Sequence, residues 1–302
     1  MNGMRFIPGG LTRLGSERFY PEEAPVRDVQ VDGFWIDEVP VTNVAFQAFV
    51  EATGYRTTAE LAPDAVGYPG LPPELCQAGS LVFVPPEPMS ASYWWQFMPG
   101  ADWRHPQGPS SSIEGIGDHP VIHIAHADAL AYAKWAGKIL PSEAEWERAA
   151  RGGHPDLDFA WGDSLEQDGR RWANTWQGEF PWRQAGGDDA ARTSPVRAFP
   201  ANGFGLFDMI GNVWEWTDDW YTDAIRGPRP TCPACVPRNP KGGTEAGSLD
   251  PLAAYPVGRK VIKGGSHLCA PNYCQRYRPA ARQPQAIDSS TSHVGFRCAL
   301  RT

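Results

Sequence analysis

Apolar residues recur at helical spacing in three stretches of this chain. Val44, Phe46, Phe49 and Val50 follow Thr42 and stop before Gly54, which predicts an amphipathic helix from Asn43 to Thr53. A second helix is predicted from Ala127 to Ala136, with Asp128 near its positive end and Gly137 closing it. The third has the clearest start: Ser142 as N-cap and Glu145 at the third helical position form a capping box, and Arg151-Gly152-Gly153 marks the end. After Gly152 the pattern predicts short strands and loops, with no internal repeat.

Residues 57–117 hold many Pro, Gly and Ser together with Trp94, Trp95 and Trp103, and read as a long ordered loop region lying on the core, the kind of segment that carries binding function. Residues 226–259, rich in Gly, Pro and Arg, read as a weakly ordered surface excursion. No linker divides the chain, and helices followed by short strands without a βαβ rhythm predict one α+β domain over residues 1–302.

Composition sharpens this picture. The 302 residues include 32 glycines, 30 prolines and 13 tryptophans, a mix that predicts low secondary-structure content, with irregular connections pinned by large aromatic anchors. The net charge of −8 has no basic block against it, which argues against nucleic-acid binding. No apolar run approaches the roughly 18 residues of a membrane span, and no signal peptide is visible, so the chain is expected to be soluble and cytoplasmic. Six cysteines are too sparse for a disulfide scaffold.

Two of those cysteines carry the most informative chemistry. Cys269 and Cys274 lie five residues apart in polar, turn-forming surroundings. An offset of five places the second side chain about 140° from the first on a helix, and on the opposite face of a strand. Only a chain reversal lets the sulfurs meet, and Ala270-Pro271-Asn272 supplies one. The pair can then close a disulfide or grip a soft metal ion between two thiolates. Two thiolates without a histidine-rich set favour Cu(I), whereas zinc would need two further ligands.

The other constellations are weaker. Pro120 interrupts any helix across His119 and His123, and a strand over residues 121–125 would point His123 and His126 to opposite faces, so these histidines read as structural. Cys232-Pro233-Ala234-Cys235 lacks a second pair at zinc-ribbon spacing and reads as a surface disulfide or free thiols. Cys76 and Cys298 are expected to pack as small apolar residues.

A set of motifs resembles the formylglycine-generating enzyme family over nearly the full length. These are Ile7-Pro8-Gly9-Gly10, Pro40-Val41-Thr42-Asn43, Trp103-Arg104-His105-Pro106, Leu140-Pro141-Ser142-Glu143, Asn202-Gly203-Phe204-Gly205-Leu206, Gly211-Asn212-Val213-Trp214-Glu215-Trp216, Lys263-Gly264-Gly265-Ser266, the cysteine pair, Arg276-Tyr277-Arg278 and Gly295-Phe296-Arg297-Cys298. Most of them report the fold of a wider superfamily; the cysteine pair narrows the resemblance.

The resemblance implies a loop-dominated fold related to C-type lectins, and an oxidase that converts the cysteine of a Cys-x-Pro-x-Arg motif in unfolded sulfatases to Cα-formylglycine, with O2 and a thiol reductant. It implies Cu(I) on Cys269 and Cys274, Ser266 as the partner of the oxygen species, and Trp214 as a wall of the oxygen pocket. Ala270 stands where the family often has His. Two structural Ca²⁺ sites are implied, one from Asn174 and Asp188 with the carbonyls of Thr175 and Ala190, the other from Asp208 and Glu215 with those of Gly211 and Val213. Trp103, Tyr273, Ser290 and His293 are the implied peptide-groove residues. Two relatives of the same superfamily are the competing readings: an ergothioneine-type iron sulfoxide synthase, which needs a further helical domain with an iron-binding His set, and a lectin-like binding module, which has no use for the cysteine pair.

Overall fold

Both ends of the chain enter one sheet. In the computed structural model, which describes residues 2–301 apart from 65, 88–92, 155, 186, 188–191 and 224–235, the N-terminal strands are β1 (Met4–Ile7), β2 (Gly10–Leu14), β3 (Arg27–Val31) and β4 (Phe34–Asp37). Helix α1 (Asn43–Thr53), strands β5 (Gly79–Phe83) and β6 (Trp95–Pro99), and helices α2 (His126–Trp135) and α3 (Glu143–Ala150) follow. Four two-residue strands, β7 (Glu166–Gln167), β8 (Arg170–Arg171), β9 (Gly178–Glu179) and β10 (Arg183–Gln184), lead to β11 (Trp214–Trp220), α4 (Glu245–Ser248), β12 (Arg259–Lys263), β13 (Arg282–Ala286), β14 (Val294–Gly295) and β15 (Ala299–Arg301). Strand β4 lies between β1 and β15, while β13-β12-β11-β14 forms the largest sheet.

The three helices form where local chemistry predicts them. Thr42 caps α1 by accepting the Ala45 N–H at 3.4 Å, and Gly54 closes it at φ +66°. Ser142 and Glu145 complete the reciprocal box of α3 at 3.2 and 2.7 Å. The buried side of α1 packs Phe46 and Phe49 against Tyr132 of α2, with ring centroids 5.9 and 5.6 Å apart. Burying each such ring contributes about 1.5–3 kcal/mol. This cluster also holds Trp103, Trp214, Trp216, Phe296 and both paired cysteines, so the site grows out of the core.

Four features depart from the sequence reading. The N-terminal strands carry no strong alternation and went unpredicted. The region 57–117 is not all loop, since β5 and β6 pair as an antiparallel hairpin from Gly79↔Pro99 to Phe83↔Trp95. The described part of the 226–259 excursion packs on β3, with the Gln30 N–H donating to Pro237 O and the Asn239 N–H to Gln30 O, both at 2.8 Å. Such contacts span some two hundred residues, and no local pattern encodes them. Cys298 is buried as expected, but Cys76 is exposed at a turn, its thiol near the carbonyls of Leu71 and Pro72. Cys232 and Cys235 lie outside the described residues. Among the described residues, no helix is long and apolar enough to cross a membrane.

Candidate active site

The connection from β12 to β13, residues 264–281, carries the paired cysteines and is held from both ends. Gly264 and Gly265 adopt φ +92° and +71°, and a Cβ would fall 2.9 Å from Met209 O at the first and 2.8 Å from Arg276 O at the second. Only glycine lets the chain leave β12 this closely packed. At the far end Arg278, buried, forms a fork with Glu23, one arm at 2.8 Å, and stacks on Phe19 with its guanidinium carbon 3.6 Å from the ring centroid. Between these anchors the predicted reversal forms: the Tyr273 and Cys274 N–H groups donate to Ala270 O at 3.1 and 2.8 Å.

The reversal brings Cys269 Sγ and Cys274 Sγ to 3.5 Å, both side chains buried. The Ser266 N–H points at Cys269 Sγ at 3.4 Å, and Arg276 Nη1 stands 3.9 Å from Cys274 Sγ. Arg276 is itself fixed by Glu22, at 3.0 Å through Nε and 2.5 Å through Nη2, and by stacking on Tyr20. The hydrogen bond from Cys269, aided by Arg276 and opposed by burial, pulls Cys274 down to about 6, while Cys269, holding the donated proton in a buried place, is pushed well above the ordinary thiol range. The pair thus gives up one proton readily and the second only to something that replaces it. A soft cation does so, because thiolates bind such ions as they lose their protons.

The site makes a direct titration prediction. Ultraviolet thiolate absorbance should appear with a midpoint near about 6 for one sulfur, against about 8.5 for a free thiol. In Cys269→Ala the midpoint should move upward, since the donor is gone. The depressed Cys274 pKa favours the folded state, in full above the unfolded thiol's pKa, and that contribution is lost as pH falls toward 6. A midpoint that ignores the Cys269 substitution would contradict the shared-proton arrangement.

Ser266 is fully buried, its Oγ accepting the Leu268 N–H at 3.2 Å and lying 3.3 Å from His293 Nδ1. Burial lowers the His293 pKa to about 3, so this ring is neutral beside the thiols. Trp214 lies in the same buried cluster as the two sulfurs, and its N–H donates to His293 O at 2.9 Å. His267 turns away, its Nδ1 donating to Asn212 O at 2.7 Å.

Of the expected groove residues, Tyr273 is half exposed and stacks on Phe180 with centroids 4.4 Å apart. Trp94 meets both rings edge-on, at 5.5 Å to Tyr273 and 5.6 Å to Phe180, so an aromatic wall stands directly on the cysteine loop. Trp103 stands outside this wall. It is fully buried, packed on Phe46 at 5.2 Å and covered by Arg104, and it lines a cleft of about 700 Å³ that is also lined by His267 of the cysteine-bearing connection and by Phe83, which packs on Phe180. The sequence placed Trp94 only within the 57–117 segment and Arg276 only within a motif, and gave neither a role at the site; the adjacent tryptophans Trp94-Trp95 were the available signal for the first, and nothing local marked Arg276 as the partner of Glu22. Ser290 is buried against Ser80, with the two Oγ atoms 2.8 Å apart.

The calcium sets fare differently. Asp188 and Ala190 lie outside the described residues, while Asn174 and Thr175 sit in the described loop, Asn174 donating through Nδ2 to Arg192 O at 3.0 Å. Glu215 already has protein partners. Its carboxylate accepts from Arg297 at 2.7–3.0 Å and from the Trp146 indole at 2.7 Å, and Arg297 also reaches the carbonyls of Phe207 and Asp208. Arg297 is thus one positive charge beside Asp208 and Glu215. The histidines do not converge either: His119 contacts Thr193, His123 contacts Ser80 and Pro106 O, and His126 packs on Trp216. Among the described residues, no group of three or more His, Cys, Asp or Glu is placed to hold a metal.

Residues 1–302 match the family model described as the sulfatase-modifying factor enzyme 1-like domain. The chain is 51% identical over 297 residues to a formylglycine-generating enzyme of Mycobacterium tuberculosis (strain ATCC 25618 / H37Rv), covering 97% of this chain and 95% of that one. It is 43% identical over 298 residues to a formylglycine-generating enzyme of Mus musculus, covering 97% and 73% respectively. Among solved structures, PvdO from Pseudomonas aeruginosa aligns with a TM-score of 0.62 at 24% identity over 99% of this chain and 94% of that one, a likeness of fold.

Proposed function

The chain belongs to the formylglycine-generating, sulfatase-modifying family, and from that premise we propose that it oxidises a cysteine of unfolded sulfatases to Cα-formylglycine, with O2 and a thiol reductant as co-substrates and Cu(I) on Cys269 and Cys274. The observation that carries the reading is the approach of two buried sulfurs to 3.5 Å beside a partly exposed aromatic wall. The balance is: one peptidyl thiol, one O2 and two reductant thiols give one aldehyde, one hydrogen sulfide, one disulfide and one water. Two electrons come from the substrate's Cβ–S carbon and two from the reductant.

When bound, Cu(I) would supply the electron transfer to O2 that no side chain here performs. The residues do the rest. Cys269 and Cys274 bind the soft ion, and Arg276 offsets their negative charge. Ser266, fixed by the Leu268 N–H, offers a hydrogen bond to the oxygen species, and Trp214 closes the buried side against water. Burial matters because a dry site strengthens these interactions and keeps the oxidant from other targets. Tyr273 and Trp94 form the wall for an extended peptide, with the proline of Cys-x-Pro-x-Arg as the residue suited to stacking. We place the reaction in the cytoplasm, where thiols stay reduced. Structural calcium remains part of the proposal, for the set of Asn174, Thr175, Asp188 and Ala190 and for that of Asp208, Gly211, Val213 and Glu215.

The test is mass spectrometry of a Cys-x-Pro-x-Arg peptide incubated with Cu(I)-loaded protein, O2 and a thiol. A mass change from thiol to aldehyde, absent without copper, is expected; an unchanged cysteine under these conditions would overturn the assignment. Bound iron in place of copper would favour the sulfoxide-synthase reading.

A further inference from the structure

The segment 290–293 runs between β5 and the cysteine loop. Ser290 O accepts the Leu81 N–H at 3.2 Å, the Ser292 N–H donates to Leu81 O at 2.9 Å, and Ser292 Oγ accepts the Phe83 N–H at 3.1 Å. Behind this segment lies His123, fully buried, at φ +61°. A histidine holds that left-handed backbone only where its surroundings compensate. The compensating contacts also fix its protons.

His123 Nε2 is 2.9 Å from Pro106 O. A carbonyl only accepts, so Nε2 carries the ring hydrogen. Burial holds the His123 pKa down at about 4, so at neutral pH the ring is uncharged and Nδ1 is bare. Ser80 Oγ stands 2.7 Å from Nδ1 and must spend its single proton there. Ser290 Oγ, 2.8 Å from Ser80 Oγ, must in turn donate to Ser80. With that proton used, the Ser290 oxygen has only lone pairs left, and the residue as a whole is 7% exposed.

We propose that His123 and Ser80 are positioning residues that hold Ser290 as a one-way hydrogen-bond acceptor toward the peptide, so that the groove takes an N–H of the substrate and rejects an oxygen at the same place. The ligand in this inference rests on the peptidyl-cysteine reading above. A serine without the relay rotates to donate or accept as its partner requires and does not discriminate. The relay converts a hydroxyl of either character into a fixed acceptor, at the cost of a buried imidazole in a strained backbone. Mismatching a buried hydrogen-bonding group is among the stronger ways for a site to reject a near-isosteric ligand.

Two measurements on the full chain test this. Nitrogen NMR of labelled histidines should show His123 as the neutral Nε2–H tautomer at neutral pH, with its Nδ1 resonance moving in Ser80→Ala; an Nδ1–H tautomer or an imidazolium would overturn the proposal whatever the enzyme's substrate. Second, binding is measured with Ser-x-Pro-x-Arg peptides, which cannot be oxidised, in which each backbone N–H is replaced in turn by an ester oxygen and, in one further peptide, the Arg by norleucine. In the wild type one replacement should weaken binding about tenfold, and in Ser80→Ala, Ser290→Ala and His123→Asn that penalty should shrink to about threefold or less. Ser80→Ala is the mild variant should His123→Asn fail to fold. A uniform loss across all peptides, an unchanged penalty in Ser80→Ala, or no peptide binding at all would sink it. Conversion of the matching cysteine peptide is scored separately, so failure of oxidation with intact selective binding would count against the oxidase reading alone.

Discussion

Serine in place of Cys274 should abolish Cu(I) binding and formylglycine formation while leaving the protein folded. The substitution is nearly isosteric, so packing in the cluster around Tyr277 and Phe296 survives. Its chemistry is not conserved. A serine hydroxyl does not ionise in the physiological range and is a hard donor, whereas the proposed ion selects soft thiolates. Cys269→Ser should do the same for a second reason, since it removes the sulfur whose donated hydrogen bond lowers the Cys274 pKa. The expected readings are loss of competition with a Cu(I) chelator, turnover reduced at least about a thousandfold, as for loss of a nucleophile or activating group elsewhere, and a melting temperature within a few degrees of wild type. Aldehyde formation retained in either variant would refute the two-thiolate site.

Arg297→Ala should be among the most destabilising single changes in the chain. Arg297 and Glu215 are 0% and 1% exposed at the side chain. The guanidinium donates to Glu215 through Nε and Nη2, and its other hydrogens go to the carbonyls of Asp37, Glu38, Phe207 and Asp208. Truncation leaves a buried carboxylate with the Trp146 indole, and takes the guanidinium from four carbonyls that tie β4 to the loop before β11, of which Glu38 O keeps the Phe207 N–H. Breaking a buried pair from one side costs about 3–5 kcal/mol, which corresponds to a fall in melting temperature of roughly 10 °C. The double variant Arg297→Met with Glu215→Met should recover much of this, because a buried ion pair and a well-packed apolar pair are close in free energy. A single-variant loss below about 1 kcal/mol would show that water reaches Glu215 and that the pair is not the buried fastener described here.

What was legible in the sequence was local. The caps at Thr42, Ser142 and Gly54 end or begin helices because their side chains and backbone torsions satisfy groups within a few residues. The reversal at residues 270–272 was legible for the same reason, and with it the meeting of Cys269 and Cys274. Motifs read as a resemblance carried the family. The surroundings of Trp103 were not legible, because a tryptophan in a loop looks alike whether its ring turns into the core or out to the surface; α1 supplied the Phe46 face that packs on it, while Trp94, just before β6, meets the cysteine loop at Tyr273.

The amino-acid order alone thus determined the helices, the bend and the two thiols, since each depends on interactions across a handful of residues. Tertiary structure decided which sulfur is favoured to ionise and which guanidinium meets each carboxylate, because Glu22 and Arg276, Glu23 and Arg278, and Glu215 and Arg297 are joined only when distant strands close on one another. Charge and proton positions in a buried site are set by the sum of fields from all neighbours, and those neighbours exist only in the folded chain.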